Sequence, residues 1–437
     1  MLFSSFTRST FGLPISIKRR RPSLHSFTKR LSTSSSTTTV PTTAADATTS
    51  AGTTPVDNNV TVVPTITERI QARVRERNSW HMYGVPKGQP SAQEAREFFS
   101  EMFWSFRLPS RAELDEHFPV RAVDWVQLRS AATATTKDDD TIQITWLGHA
   151  SLLVQMNGCH ILTDPVMSSR RCSPTQWFGP LRYRPAPCTV AELKNQFFDK
   201  VDGLDDLIVL ISHNHYDHLD YQTIRDITRY FPSVTFVVPL GLKGWFEYWI
   251  SSKCKVQELD WHETLQYANK NNINDQKHVK ITAVPMNHWS NRTGDRDRTL
   301  WCGFSVATAG DSSSSTSASS ISVAVSPSKF LFAGDTAWFD EIGNVVGKTH
   351  GPWKVAALPI GAYSPRAFMK HAHVNVAEAI QIKDALQCQY AVPIHYGTFP
   401  LTTEPVLEPG GKLVELMRGR DDADSFTPWL IGETKVF

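Results

Sequence analysis

Five consecutive apolar residues, 207–211, run directly into Ser212-His213-Asn214-His215-Tyr216-Asp217-His218. A short, continuous apolar run predicts a strand buried on both faces, and such strands belong to sheets whose two faces are covered. The chain leaves that strand carrying three imidazoles and a carboxylate within six residues. Packed as ordinary core these groups are costly, because each ring needs partners for both nitrogens. A metal ion removes the cost. Neutral imidazole and carboxylate suit zinc, and alternate residues of an extended turn can aim two rings at one ion while the next pair serves another.

One loop cannot complete two such sites, so isolated ligands are expected at other strand ends. Alternating or continuous apolar segments predict strands over 142–147, 151–156, 159–162, 234–238, 278–284, 300–308, 322–325, 330–332, 355–358 and 391–394, with helices over 241–250 and 376–386. His288 follows the strand at 278–284, Asp335 the strand at 330–332 and His395 the strand at 391–394. The pattern predicts an α/β domain over 141–437 in which several strands deliver ligands to one rim. Residues 311–320 are nearly all Ser and Ala and read as an exposed loop insertion.

The order HxHxDH, His, Asp, His resembles the ligand set of the metallo-β-lactamase superfamily. That resemblance implies an αββα sandwich of two mixed sheets flanked by helices. It implies one zinc on His213, His215 and His288, a second on Asp217, His218 and His395, and Asp335 as the bridge and a catalytic residue. Asp164, in Leu162-Thr163-Asp164-Pro165, matches the outer carboxylate that orients the histidine loop; read alone it is equally a turn residue.

Longer blocks narrow the family. Thr145-Trp146-Leu147-Gly148-His149-Ala150, Ser173 to Gln176, Val238-Pro239-Leu240-Gly241-Leu242, Glu258-Leu259-Asp260-Trp261 and Pro359-Ile360-Gly361-Ala362-Tyr363 are similar to those of N-acylphosphatidylethanolamine-hydrolysing phospholipases D. The resemblance runs from about residue 109 to 409. It implies hydrolysis of the phosphate ester on the ethanolamide side, giving phosphatidic acid and an N-acylethanolamine, with a phospholipid in a membrane surface as partner; whether the chain forms a homodimer is left open by the sequence. His373, in Lys370-His371-Ala372-His373-Val374, matches the family's catalytic histidine, although His371 and Ala372 stand where the family has Tyr and Gln. Gln176, Trp177, Tyr216, Trp289 and Arg292 lie in matching segments as candidate substrate contacts, Arg292 toward lipid phosphate. A soluble lactonase or phosphodiesterase of the same fold, and a metal-binding scaffold without activity, are the competing readings.

The rest of the chain bears on location. Residues 1–45 hold seven basic side chains and no acid amid Ser, Thr and Phe, the composition of a mitochondrial presequence. Without those seven, 38 basic side chains face 43 acidic ones, a net charge of −5 that argues against nucleic acid as a partner. Residues 46–66 read as a low-complexity linker. Residues 67–140 read as an extension with an exposed charged helix over 67–77 and an aromatic cluster over 98–106, a candidate lip for lipid entry. No run of about eighteen apolar residues is present, so membrane association is expected to be peripheral. Six cysteines without a CxxC pair argue against a disulfide framework.

Overall fold

The computed structural model describes residues 63–80, 93, 96, 100, 109–133, 141–204, 206–268, 278–292, 294–308 and 328–437. The basic leader, most of the linker, the aromatic residues of 98–106, the Ser-rich insertion and the strand expected over 322–325 lie outside the described residues.

Thirteen strands among the described residues form two sheets. In chain order they are β1 (Ile142–Gly148), β2 (Ser151–Met156), β3 (Cys159–Thr163), β4 (Ile208–Leu210), β5 (Thr235–Pro239), β6 (Lys255–Leu259), β7 (Thr264–Ala268), β8 (His278–Val284), β9 (Gly303–Thr308), β10 (Lys329–Phe332), β11 (Val355–Pro359), β12 (Tyr390–Ile394) and β13 (Thr434–Val436). The first sheet runs β13-β1-β2-β3-β4-β5-β6 and the second β12-β11-β10-β9-β8-β7. Each is mixed: β3 to β6 are mutually parallel, as are β10 to β12, and the remaining pairs are antiparallel.

Side-chain period two explains the layering. In β1 to β5, Ile144, Trp146, Leu152, Val154, Ile161, Ile208, Leu210 and Val237 join the core between the sheets. Their neighbours Leu147, Leu153, Leu162, Val209, Phe236 and Val238 face the opposite way, onto Leu193, Ile224, Ile227 and Phe246 of the helices Val190–Gln196, Tyr221–Tyr230 and Lys243–Trp249. β4, buried on both faces, therefore reads as an unbroken apolar run. The helix Val376–Ala385 packs on β11 of the second sheet, completing the αββα sandwich.

Three differences from the sequence reading matter. Helix Tyr221–Tyr230 was not anticipated; Asp220 caps it by accepting from the N–H groups of Gln222 and Thr223, and Ile224 and Ile227 bury its inner face. Strands β6, β7 and β13 also escaped notice, because β7 is largely exposed and β13 is only three residues long. The helix expected over 67–77 spans Ile66–Ser79, closed by a Thr65–Glu68 capping box, and its charged residues dock on the domain.

Candidate metal centre

The polar groups gather where strands end. His149 follows β1, Asp164 follows β3, the His213–His218 loop follows β4, His288 follows β8, Asp335 follows β10 and His395 follows β12. Among the described residues four groups of side chains place ligand-type atoms within 4.8 Å of one another: the two larger are His213, His215, His288 and Asp335, and His149, Asp217, His218 and His395, and the smaller are Asp164, His213 and His218, and Asp335, His373 and His395. Asp335 joins the two larger groups. Its Oδ2 lies 3.1 Å from Nε2 of both His218 and His395, 3.7 Å from that of His288 and 3.8 Å from that of His213.

Several rings are held by one nitrogen while the other faces the centre. His218 Nδ1 lies 2.6 Å from Asp164 Oδ2, and His288 Nδ1 lies 2.9 Å from the carbonyl oxygen of Ala372. His213 Nδ1 lies 2.9 Å from Ser212 Oγ. Such contacts fix the tautomer and the direction of the remaining lone pair. Asp164 also accepts from the backbone N–H and the hydroxyl of Ser212, so one carboxylate pins the start and the end of the histidine loop. Gly334 lets the Asp335 loop come this close. It has φ +60, and a Cβ there would stand 2.6 Å from the Cβ of Ser212.

His149 belongs to this site and was not singled out in the sequence. It is buried with φ +53, its Nε2 lies 3.0 Å from Asp217 Oδ2, and its ring stands 4.2 Å from that of His395. Trp146 explains its placement, because the indole N–H donates to the His149 carbonyl at 2.9 Å. The backbone N–H of His149 donates to Thr398 Oγ1, and its carbonyl accepts from the N–H of His395. Its signal was the Trp-Leu-Gly-His-Ala block, which sequence reasoning treated only as a family marker.

Electrostatics divide the histidines. Burial drives His213 and His288 well below the ordinary imidazole value and His215 to about 4, so these rings are neutral lone-pair donors at neutral pH. Burial acts in the same sense on His218 and His395, but the facing carboxylates of Asp335 and Asp217 outweigh it, lifting His218 well above the usual range and His395 to about 9. Asp335 and Asp217 stay ionised despite burial, held far down by the surrounding imidazoles.

His373 reaches the centre and His371 is not in the ligand-type groups. His373 lies just beyond a turn, Nδ1 3.9 Å from Asp335 Oδ2, its ring about 5 Å from those of His288 and His395. Burial pushes its pKa to about 3. The remaining candidates spread around the rim. Trp289 meets the His215 ring edge-on at 4.6 Å. Trp177 is 84% exposed and Phe178 79%, on the loop between residues 171 and 181. Gln176 accepts from the N–H groups of Arg170 and Arg171 and so closes that loop. Arg292, expected as a phosphate contact, donates from Nη1 to the carbonyls of Asn214 and Leu219 and stacks 4.1 Å over Tyr216, bracing the histidine loop.

The donor set suits a borderline divalent ion. His215 Nε2, His218 Nε2, His395 Nε2 and Asp335 Oδ1 are buried without a hydrogen-bond partner, a cost that bound metal would remove. Two sheets flanked by helices, with such a centre at their strand ends, define a metallo-β-lactamase-type hydrolase. The family model described as the Beta-lactamase superfamily domain matches residues 160–396. The chain belongs to that superfamily, and within it to the family of N-acylphosphatidylethanolamine-hydrolysing phospholipases D. It is 37% identical to the Caenorhabditis elegans N-acyl-phosphatidylethanolamine-hydrolyzing phospholipase D 1, over 64% of this chain and 70% of that protein. It is 31% identical to the mitochondrial protein of that name from Saccharomyces cerevisiae, over 72% of this chain and 60% of the yeast protein. The match thus spans less than two thirds of the yeast relative. A metal-dependent hydrolase from Koribacter versatilis is 26% identical over 60% of this chain and 87% of its own length.

Proposed function

We propose that this metal-dependent hydrolase cleaves N-acylphosphatidylethanolamine at the phosphate ester nearer the ethanolamide, using two zinc ions at a membrane surface. The observation that carries the reading is a pair of ligand groups with Asp335 belonging to one and facing His218 and His395 of the other, in a chain so similar to the nematode phospholipase D. His213, His215 and His288 would hold one ion, Asp217, His218 and His395 the other, and Asp335 both. Bound there, the ions would polarise the phosphoryl group and acidify water.

The protein's own groups do the rest. Asp164 and His149 hold His218 and Asp217 in place, and Asp335 brings negative charge to a site that must hold two dications. Water adds to phosphorus, the bond to the ethanolamide oxygen breaks, and that oxygen leaves with a proton. His373 is neutral at pH 7, so it serves as a hydrogen-bond donor to the phosphoryl or leaving oxygen rather than as a standing cation.

Exposed Trp177, Phe178, Tyr248 and Trp249 support contact with lipid, and among the described residues no helix is long and apolar enough to cross a membrane. The deciding experiment is incubation of zinc-loaded protein with mixed vesicles containing N-acylphosphatidylethanolamine, followed by mass spectrometry. Release of N-acylethanolamine and phosphatidic acid is expected. Intact lipid alongside turnover of soluble lactones or diesters overturns the reading. The composition of residues 1–45, with the mitochondrial name of the yeast relative, supports a mitochondrial address. Fused to a fluorescent reporter, residues 1–45 should direct it to mitochondria; a diffuse or nuclear signal refutes that.

A further inference from the structure

Helix Ile66–Ser79 precedes the matched superfamily domain, and it carries Arg69, Arg73 and Arg77 at four-residue steps along one side. Arg69 Nε donates to Asp260 Oδ2 at 3.1 Å and Arg73 Nε to Asp260 Oδ1 at 2.9 Å. These two anchor the helix to the turn between β6 and β7. Arg77 goes further. Its side chain is only 11% exposed, its guanidinium lies 5.0 Å over the ring of Trp301, and its Nη1 donates at 2.6 Å to the backbone carbonyl of His288.

The His288 segment is thereby held from several sides. Trp301 donates its indole N–H to the Met286 carbonyl at 2.8 Å, Arg77 takes the His288 carbonyl, and the Ala372 carbonyl takes the ring at Nδ1. With peptide and ring both fixed, Nε2 of His288 has one direction left, toward His215 Nδ1 at 3.3 Å and Asp335 Oδ2 at 3.7 Å. A guanidinium suits this place: its planar fork covers an indole while another nitrogen, Nη2, donates to Asn78 Oδ1 at 2.9 Å. An ammonium cannot do all three.

We infer that Arg77 is a positioning residue for the metal centre, so that a helix outside the superfamily domain helps set the direction of the His288 lone pair. The inference rests on His288 being a metal ligand, and it assigns to the N-terminal extension a part in building the site. Support from an outer group of this kind is worth roughly tenfold or more in metal affinity.

The test compares full-length Arg77→Met, Arg77→Lys, Arg69→Met and His288→Ala with the unaltered protein. Zinc affinity is read by chelator competition, and thermal unfolding is read on the metal-free proteins. Arg77→Met should weaken zinc binding at one of two sites by roughly tenfold or more, and Arg77→Lys should recover part of the loss. Arg69→Met, which loosens the same helix at Asp260, should lower the unfolding temperature about as much while leaving zinc affinity unchanged. Equal loss of affinity in Arg69→Met and Arg77→Met would reduce Arg77 to a helix anchor and overturn the inference, as would unaltered affinity in Arg77→Met. If His288→Ala binds zinc like the unaltered protein, the metal reading itself fails, and the inference with it.

Discussion

The Nδ1 of His218 lies 2.6 Å from Oδ2 of Asp164, and neither side chain has any exposed surface. Ser212 directs two further donors at the same carboxylate, so Asp164 must accept at both oxygens. Asp164→Asn sets an amide N–H against one of those donors and removes the charge. Breaking a buried pair of this kind costs about 3–5 kcal/mol, and loss of an outer carboxylate lowers metal affinity by roughly ten- to a hundredfold. A lower unfolding temperature together with weaker zinc retention in dialysis is the expected result. A variant stable and fully loaded shows that the histidine loop orients itself.

The division among the histidines predicts where protons leave on metal binding. Burial lowers His215 to about 4, whereas facing carboxylates raise His395 to about 9 against burial and lift His218 as well. A raised pKa means that the folded, metal-free protein keeps these two protons at pH 7; their stabilising contribution is full below the unfolded value of about 6.5 and is lost as pH rises through each raised value, about 9 for His395. A dication needs the neutral ring. Zinc uptake at the His218–His395 half should therefore release protons and weaken by about tenfold per pH unit for each proton as pH falls from 9 toward 6. The His213–His215–His288 half should hold its affinity until pH nears 4. Calorimetric titration in buffers of different ionisation heat separates these events, and proton release from neither refutes the assignment.

Gly361 explains the glycine of the Pro-Ile-Gly-Ala-Tyr block. A Cβ there would stand 2.2 Å from the carbonyl oxygen of His395, so backbone would have to move away from backbone. Gly361→Ala should cost about 1–3 kcal/mol, as overpacking does, and should displace His395. Thermal melts and zinc stoichiometry measured together check this. An unaltered melt with full zinc shows that the strand ends tolerate the shift.

Much of the site was legible because its chemistry sits in side chains next to strong strand signals. His213 to His218 follow a fully buried strand, and His288, Asp335 and His395 each follow another. What escaped depends on contacts between distant segments. His149 is one histidine after a glycine until the fold sets its Nε2 against Asp217, 68 residues away. Arg77 looks like one more charge on a surface helix, yet it meets a carbonyl 211 residues on. Arg292, expected at a lipid phosphate, also has a contact that only the fold reveals: its Nη1 donates to two carbonyls of the histidine loop. Ala372 contributes through its carbonyl, so a change of side chain there leaves the hold on His288 available to any residue.

His373 offers the sharpest test of the chemistry, because its backbone is fixed independently of its ring. Arg366 donates to the His373 carbonyl at 2.6 Å, the His373 N–H donates to the Met369 carbonyl at 2.9 Å, and the next N–H, of Val374, donates to the Thr336 carbonyl at 2.9 Å. His373→Ala should therefore remove the imidazole without moving the segment. If that ring stabilises charge on the phosphoryl or leaving oxygen, kcat should fall by roughly a hundredfold or more while zinc content stays unchanged. His373→Gln restores a donor without a titrating ring, so partial recovery identifies hydrogen bonding as the role, and no recovery identifies proton transfer. His371→Ala should be milder, since His371 is outside the groups that reach the centre. Should His371→Ala prove the more damaging, or both variants be silent with full zinc, the leaving oxygen takes its proton from water and His373 is only part of the wall.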